Sequence, residues 1–295
     1  MSPASPIAVL DSGLGGLTVV RALRKLMPQE KIIYFGDTAR LPYGSKTAVT
    51  ISGFVQQIIE YLQPHDPKHV VIACNTATAL ALPAAREAFP HLPITGVIDP
   101  GAKAAVVACG ANIVARIGVI ATEATVHSRA YERAIHRRRH LVRVFLRPAP
   151  LLAPIIEEGR VGADPLVRLA LQQYLEPLFQ QKIDVLVLGC THYPVYRDVI
   201  QEMAGSAVRV IDSAEQCAED VARRLRSAGL VGPSLSSNGP GENQFLSCFV
   251  TDDPARFQRL APRFLGVNIA PPALVAPEDL YELRTLYRAP LGVPA

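Results

Sequence analysis

Short apolar runs alternate with amphipathic stretches along most of the chain. The runs are rich in β-branched residues, as is typical of strands buried in a parallel sheet, and the stretches between them repeat apolar residues at helical spacing. Predicted strands lie at 7–10, 31–36, 70–74, 94–98, 117–121, 141–146, 185–190, 210–212 and 245–250, and predicted helices include 17–26, 46–62, 213–230 (with Ser213 as its candidate N-cap) and 254–265. This alternation predicts an α/β fold with parallel sheets.

The predicted strands fall into two similar series. The strands that begin at residues 117 and 141 each stand 110 positions after the strands that begin at 7 and 31. Cys190 follows Cys74 by 116 positions, and Val-Ile-Asp at 210–212 follows Val-Ile-Asp at 97–99 by 113. A repeat this regular indicates an internal duplication.

The duplication predicts two pseudo-symmetric, flavodoxin-like, doubly wound domains that face a shared cleft. We expect residues 1–98 and 213–268 to form the domain that carries Cys74, and residues 99–212 to form the domain that carries Cys190. Residues 232–242 are rich in Gly, Pro and Ser and predict a loop. Residues 269–295 contain many prolines and are expected to form an extended tail.

Cysteines follow equivalent strands in the two series. Because ligands bind at the carboxyl ends of parallel strands and in clefts between domains, we expect Cys74 and Cys190 on opposite walls of one cavity. Each begins a polar strand-to-helix turn, where a helix dipole and free N–H groups stabilise a thiolate. The pattern therefore predicts two acid–base thiols, whereas Cys109, Cys217 and Cys248 lie in ordinary apolar surroundings and are expected only to pack.

Composition limits the class of protein. Hydrophobic residues make up 49% of the chain and charged residues 19%, which is typical of a soluble globular protein, and five cysteines without paired spacing favour a reducing cytoplasm. The sequence predicts no signal peptide and no membrane span. Much of the net charge of +4 comes from the basic run at 136–140, which we interpret as the end of a helix; a nucleic-acid partner is not expected, since no aromatic residues interleave with the run.

Asp11 and Ser12 end the first strand and open a glycine-rich turn. Asp11 could bind a substrate ammonium group or assist Cys74, while Ser12 could hold a carboxylate. A phosphate-binding loop is disfavoured, because the Walker A spacing is absent and a carboxylate repels phosphate. A plain turn in which Asp11 caps the helix remains open.

Three further positions carry candidate chemistry. His192 could tune the thiol of Cys190 or protonate a substrate; zinc is the weaker alternative, because a fourth ligand is not evident. The loop 42–44 offers backbone N–H groups and the phenol of Tyr43 to a carboxylate. Glu157 could be a buried acid or an exposed residue of a first helical turn, and spacing alone does not distinguish these two alternatives.

Five motifs together resemble bacterial glutamate racemases. They are Asp-Ser-Gly-Leu-Gly-Gly at 11–16, Pro-Tyr-Gly at 42–44, Ala-Cys-Asn-Thr-Ala-Thr at 73–78, Gly-Cys-Thr-His-Tyr-Pro at 189–194 and Phe-Val-Thr-Asp-Asp-Pro-Ala-Arg-Phe at 249–257. The resemblance runs in order from about residue 7 to 265. It implies a cytoplasmic homodimer that interconverts L- and D-glutamate without a cofactor or metal and supplies D-glutamate for peptidoglycan.

The resemblance also implies roles for individual residues. Cys74 would take the α-proton from D-glutamate with Asp11 beside it, and Cys190 would take it from L-glutamate with Glu157 and His192 beside it. Substrate-binding positions would be Asp11, Ser12, Pro42, Tyr43, Gly44, Asn75, Thr76, Thr122, Thr191 and His192. Two alternatives are a racemase for aspartate or another amino acid, and a ligand-binding module without chemistry, although such a module would not need two thiols.

Overall fold

Two separate parallel sheets make up the β-structure of the computed structural model, which describes residues 1–112, 114–233 and 245–286. The first sheet has the order β10-β9-β2-β1-β3-β4 and the second has the order β6-β5-β7-β8. The strands are β1 (Ile7–Asp11), β2 (Ile32–Gly36), β3 (His69–Ile72), β4 (Ile94–Gly96), β5 (Arg116–Ala121), β6 (Arg143–Pro148), β7 (Val185–Gly189), β8 (Arg209–Asp212), β9 (Leu246–Val250) and β10 (Ala273–Leu274).

Helices connect the strands and cover the sheets. They are α1 (Leu17–Leu26), α2 (Ala48–Leu62), α3 (Asn75–Ala88), α4 (Ile98–Ala108), α5 (Glu123–His127), α6 (Ala130–His136), α7 (Leu152–Glu157), α8 (Pro165–Phe179), α9 (Arg197–Ala204), α10 (Ser213–Ser227), α11 (Pro254–Leu265) and α12 (Pro277–Leu286). Within the described ranges, none of these helices is both long and apolar enough to span a bilayer.

The strand order repeats between the two sheets. β2-β1-β3-β4 in the first sheet corresponds to β6-β5-β7-β8 in the second, and every pairing is parallel. The predicted architecture of two parallel-sheet α/β domains is therefore confirmed. β9 extends the first sheet beside β2. The domain boundaries at 98/99 and 212/213 stay a prediction.

The central strands of both sheets are buried along their length. All five residues of β1 are buried, and so are all five residues of β7. One apolar cluster joins the two halves, because it includes Val9 of the first sheet, Leu186 of the second, and Val20 and Val221 of α1 and α10, which pack together. This shared core fixes the carboxyl ends of β1, β3 and β7 relative to one another.

Several predicted element ends were wrong by a few residues. The strand predicted at 94–98 ends at Gly96, and α4 begins at Ile98, so residues 97–99 correspond to a helix start and not to β8. The strand predicted at 141–146 is displaced to Arg143–Pro148. Ser213 is not the N-cap of α10: the side chain of Asp212 accepts from the N–H of Ala214 at 2.8 Å, since it already stands at the strand end.

The prediction of an extended tail was wrong for part of its length. β10 pairs with β9, and α12 packs on α2 with Val275 and Leu280 buried against the first sheet. Burial of these two apolar residues compensates for the prolines that suggested an extended chain. Residues 287–295 and most of the predicted 232–242 loop lie outside the described residues.

Candidate active site

A cavity of about 370 Å³ lies at the carboxyl ends of the central strands of both sheets. Its size is within the usual range for a small-molecule site. It is lined by Ser12, Gly13, Leu41, Pro42, Tyr43, Gly44, Cys74, Asn75, Thr76, Thr122, Ala153, Pro154, Glu157, Glu158, Cys190, Thr191, His192 and Arg256. Every residue predicted for the site is among them except Asp11, which is fully buried.

Cys74 stands between β3 and α3 on the first-sheet side of the cavity. It is the N-cap of α3, and its Sγ accepts from the N–H of Ala77 at 3.5 Å. Burial, reinforced by the negative charge of Asp11, raises the pKa of the Cys74 thiol to about 12, although the bonds from Ala77 and Ser12 act the other way. Burial therefore opposes the stabilisation of a thiolate that the helix terminus was expected to give, and the role of Cys74 as an acid–base group stays a prediction.

Cys190 directly follows β7 on the second-sheet side of the cavity. The turn behind it leads into a short 3₁₀ segment, Tyr193–Tyr196, so no α-helix begins at this cysteine, contrary to prediction. Its Sγ lies 3.9 Å from Nδ1 of His192. The two thiols therefore have different partners: Cys74 has a helix terminus, and Cys190 has an imidazole.

His192 is held on its other side by a carboxylate. Its Nε2 lies 2.9 Å from Oε1 of Glu157. Burial lowers the pKa of His192, but the hydrogen bonds and charges of Cys190 and Glu157 outweigh burial and raise it to about 10. An imidazolium next to a sulfur is the arrangement that stabilises a thiolate.

Glu157 is the last residue of α7, and its side chain is 16% exposed. It is thus neither a fully buried acid nor an exposed residue of a first turn. Burial raises its pKa, but His192 and Arg256 outweigh burial and lower it. Arg256 donates from Nη2 to Oε2 of Glu157 at 3.1 Å. A charged relay therefore runs from Arg256 through Glu157 and His192 to Cys190.

Asp11 lies beneath the cavity floor and does not cap α1, whose N-cap is Gly16. Its carboxylate accepts from the N–H of Gly13 at 3.0 Å and from Oγ1 of Thr191 at 3.5 Å. Burial raises the pKa of Asp11, partly offset by His192 and these hydrogen bonds. Of the roles left open for Asp11, its position favours assistance to Cys74 over direct contact with a substrate ammonium group.

The glycine-rich turn allows the two halves to approach closely at the floor. A Cβ on Gly15 would lie 2.2 Å from Oγ1 of Thr191 and 2.5 Å from Nδ1 of His192. Thr18, one turn later, donates to the carbonyl of Gly15 at 2.8 Å and lies 3.2 Å from the carbonyl of Thr191. The start of α1 thus braces the turn that carries Cys190.

Three threonine hydroxyls bridge the halves at the opposite edge of the cavity. Oγ1 of Thr76, on α3, lies 2.8 Å from Oγ1 of Thr122 and 3.2 Å from Oγ1 of Thr125. Thr122 caps α5 by accepting from the N–H of Thr125. Rotation of these hydroxyls lets them donate to a bound carboxylate.

Asn75 presents an unsatisfied donor. Tyr131 of α6 donates to its Oδ1 at 2.7 Å, while its Nδ2 is buried and has no partner among the described residues. An unpaired buried donor is costly unless a ligand satisfies it. Because Asn75 belongs to the cavity lining, its Nδ2 is available to donate to a bound ligand.

The phenol of Tyr43 is engaged elsewhere. Its hydroxyl makes a very short hydrogen bond to Asp37, which is also bound by Arg40 at 2.8 Å and by Thr251 at 3.0 Å. The expectation that this hydroxyl reaches a ligand is therefore not supported, because its proton is committed to a buried carboxylate. The backbone of the 42–44 loop remains on the cavity wall.

Within the described ranges, no cluster of three His, Cys, Asp or Glu side chains is placed to hold a metal ion.

The basic run lies at the end of α6. Arg137 and Arg138 pair with Asp99, and Arg139 donates to the carbonyl of Gly110. These contacts agree with its interpretation as a helix end.

Sequence reasoning missed Arg256 as a site residue. The motif at 249–257 contains it, but its distance of 99 positions from Glu157 gave no sign that the two would pair. The signal that could have indicated it was the position of Arg256 within a motif that resembles glutamate racemases.

Comparison with known proteins identifies the family. The sequence model of the Asp/Glu/Hydantoin racemase family matches residues 17–221 of this chain. The chain is 46% identical over 261 residues to a glutamate racemase of Neisseria meningitidis, covering 88% of this chain and 93% of the relative.

Two solved glutamate racemases have similar structures. That of Francisella tularensis, in complex with D-glutamate, has a TM-score of 0.83 at 34% identity and covers 93% of this chain and 98% of its own. That of Thermus thermophilus, in complex with β-chloro-D-alanine, has a TM-score of 0.82 at 39% identity and covers 95% and 100%. The paired cysteines of the cavity, the duplicated sheets and these matches show that the chain belongs to the Asp/Glu/hydantoin racemase family.

Proposed function

We propose that this protein racemises glutamate without a cofactor, by proton transfers at Cys74 and Cys190. The observation that carries the proposal is that two thiols from equivalent positions of two sheets line one cavity. Racemisation removes a proton from one side of the α-carbon and adds a proton to the other side. Two acid–base groups that approach from opposite sides achieve this without turning the substrate.

The surroundings of the two thiols differ, and this difference assigns them different starting forms in the reaction of L-glutamate. The cationic His192 stabilises a thiolate at Cys190, and that thiolate takes the α-proton to become a thiol. The carbanion then takes a proton from the neutral thiol of Cys74, which becomes the thiolate. D-glutamate leaves an enzyme in which the two sulfurs have exchanged protonation states, and the reverse reaction restores them.

The carbanion needs donors at the α-carboxylate as its charge moves onto the oxygens. The side-chain amide of Asn75 and the free N–H groups at the start of α3 supply donors on one side. Thr76 and Thr122 add hydroxyl groups at the nearby edge. The remaining predicted binding positions, Ser12, Thr191 and the 42–44 loop, complete the wall around the substrate.

The cellular setting belongs to the same proposal. A racemase of this specificity would supply D-glutamate for peptidoglycan from the cytoplasm, and we expect a homodimer. Light scattering of the purified protein at micromolar concentration would measure the oligomeric state, and a monomer that retains full activity would contradict the homodimer.

Circular dichroism during incubation with L- or D-glutamate tests the activity directly. We expect both enantiomers to reach the same racemic end point without added cofactor, and aspartate to react far more slowly. Equal or faster reaction of aspartate would favour the alternative substrate. No reaction of any amino acid would favour a binding module.

The division of labour is tested with Cys74→Ser and Cys190→Ser, since serine is nearly isosteric but far less acidic. Each variant should lose racemisation. With a glutamate analogue that carries chlorine on the β-carbon, the remaining thiolate can still remove the α-proton while chloride leaves, and the enamine formed hydrolyses to 2-oxoglutarate and ammonium. Cys74→Ser should process the L form and Cys190→Ser the D form. Racemisation above about a tenth of the original, a barrier change under about 1.4 kcal/mol, would contradict an essential role for that cysteine.

A further inference from the structure

We propose that Arg256 is a positioning residue that holds Glu157 and His192 against Cys190, and that it serves only the Cys190 half of the reaction. This inference rests on the proposed function, since it assigns Arg256 to one of two proton transfers. The five sequence motifs do not indicate which of their residues serve one proton transfer and which serve the other.

Contacts along the relay support the proposal. One oxygen of Glu157 accepts from Arg256 at 3.1 Å, and the other lies 2.9 Å from His192. Since both oxygens are occupied, the carboxylate cannot rotate without breaking one bond. The opposite ring nitrogen of His192 is then directed at Cys190, 3.9 Å away. A carboxylate behind an imidazole fixes its orientation, and Arg256 fixes the carboxylate.

Arg256 reaches the relay from the other half of the protein. It belongs to α11, which follows β9 of the first sheet, whereas Glu157 ends α7, which follows β6 of the second. The arginine therefore joins the halves at the Cys190 edge, as Thr76 and Thr122 join them at the Cys74 edge. The Cys74 environment contains no corresponding contact with Arg256: its partners are Ala77, Ser12 and Asp11.

Other charged groups near Glu157 define the electrostatic setting. His192 and Arg256 contact it directly, Glu158 shares the cavity lining, and Asp252 and Asp253 line the small cavity behind it. Arg256 and the imidazolium of His192 are the two cations in contact with Glu157 that oppose these acidic neighbours. Removal of Arg256 should raise the pKa of Glu157, so the acid limb of the pH–rate profile should move to higher pH.

Two substitutions at Arg256 and one control test the inference. Arg256→Met keeps the aliphatic stem but loses the guanidinium, and Arg256→Lys keeps the charge without the planar fork. Arg263→Gln is the control. Arg263 lies on the same helix and donates to the carbonyl of Arg160 at a distance of 2.6 Å. This bond also joins the two halves of the protein, but it does not involve Glu157. We expect kcat for glutamate to fall about tenfold in Arg256→Met with little change in KM, partial recovery in Arg256→Lys and near-normal kcat in Arg263→Gln.

The equilibrium constant of racemisation is one, so kcat/KM must change equally in both directions and cannot reveal which half is affected. The β-chloro analogue resolves this. Arg256→Met is combined with Cys74→Ser, where only Cys190 acts, and with Cys190→Ser, where only Cys74 acts. Elimination of chloride from the L form should slow about tenfold in the first pair, and elimination from the D form should be unchanged in the second.

The outcomes separate the two hypotheses. If the single cysteine variants lack opposite preferences, the proposed function fails. If they have them but Arg256→Met slows both eliminations or neither, the positioning role is wrong. A raised KM with unchanged kcat would instead show that Arg256 binds a substrate carboxylate. Equal losses in Arg256→Met and Arg263→Gln would show that only the docking of α11 matters.

Discussion

The hydroxyl of Tyr131 donates to Oδ1 of Asn75 at 2.7 Å and so joins a helix of the second half to a helix of the first. The bond fixes which end of the amide faces the cavity: the oxygen is occupied, and the buried Nδ2 is left to donate. Tyr131 is itself buried, and burial raises its pKa, so the phenol remains a donor at neutral pH. Tyr131, which is not part of the cavity lining, thereby determines which end of the Asn75 amide is available to the substrate that we propose binds there.

We expect Tyr131→Phe to weaken substrate binding. Without the hydroxyl, the amide is free to turn its oxygen toward the substrate carboxylate, and the loss of one hydrogen bond costs about 1 kcal/mol. KM for both enantiomers should rise about fivefold, a cost of about 1 kcal/mol, with a smaller change in kcat, as measured by circular dichroism. An unchanged KM would mean that Asn75 keeps its orientation through packing alone. Tyr174→Phe is a control, because Tyr174 is a buried tyrosine of α8 outside the cavity lining.

Gly15→Ala should disable the site more than it destabilises the fold. The added methyl would overlap Oγ1 of Thr191 and the ring of His192, so the turn that carries Cys190 must move. We expect a loss of about 1–3 kcal/mol in the free energy of unfolding and at least a hundredfold loss of kcat/KM. Gly13→Ala is the matched control, since its Cβ would meet only Leu41 at 3.4 Å. Similar activity in the two variants would contradict the steric account.

The features that follow from local pattern were predictable from sequence. The two parallel sheets, the helices 17–26 and 254–265, and the placement of Cys74 and Cys190 on one cavity all follow from apolar periodicity and from the repeat. Hydrogen bonds between residues far apart in the sequence could not be predicted from these patterns. Tyr131 pairs with Asn75 across 56 positions, and no local rule connects them. The helix at 277–286 was missed because burial of Leu280 depends on a sheet assembled elsewhere in the chain.

Electrostatic environment was the other part that could not be predicted. The sequence placed a thiol at the start of α3 but gave no estimate of its burial or of the charge on Asp11 beneath it. These two effects raise the pKa of the Cys74 thiol, whereas its position at a helix start alone would lower it. Spacing gave the position of Cys74, and only the fold gives its protonation.

Acid should destabilise the protein partly through His69. This residue of β3 is buried and its Nε2 lies 2.8 Å from Oγ1 of Thr95. Burial lowers its pKa from 6.5 to about 4, with Arg224 and Arg86 adding to the effect and Asp220 opposing it. Because the folded pKa is below the unfolded value, the stabilisation is fully present above pH 6.5 and is lost as the pH falls toward 4.

His69→Gln tests this assignment, since glutamine can still bond Thr95 but does not titrate. The free energy of unfolding, measured with urea, should fall between pH 7.5 and pH 5 by about 2 kcal/mol more in the original protein than in the variant. Equal losses would place the acid sensitivity in other groups.

Asp11→Asn should separate stability from activity. The Asp11 carboxylate is fully buried, and burial raises its pKa, so the charged form costs folding free energy. For a carboxyl whose folded pKa is raised, relative stability is greatest below its unfolded pKa of 3.8 and is lost as the pH rises through the folded value. Asparagine removes this cost and can still accept from the N–H of Gly13.

The Asp11→Asn variant should therefore unfold at a higher urea concentration than the original protein at pH 8, with a smaller advantage at pH 5. Its kcat/KM should fall about tenfold or more, because an uncharged amide no longer supports proton transfer at Cys74 beside it. If the variant is instead less stable at both pH values, the Asp11 carboxylate is a structural acceptor whose hydrogen bonds from Gly13 and Thr191 outweigh its burial.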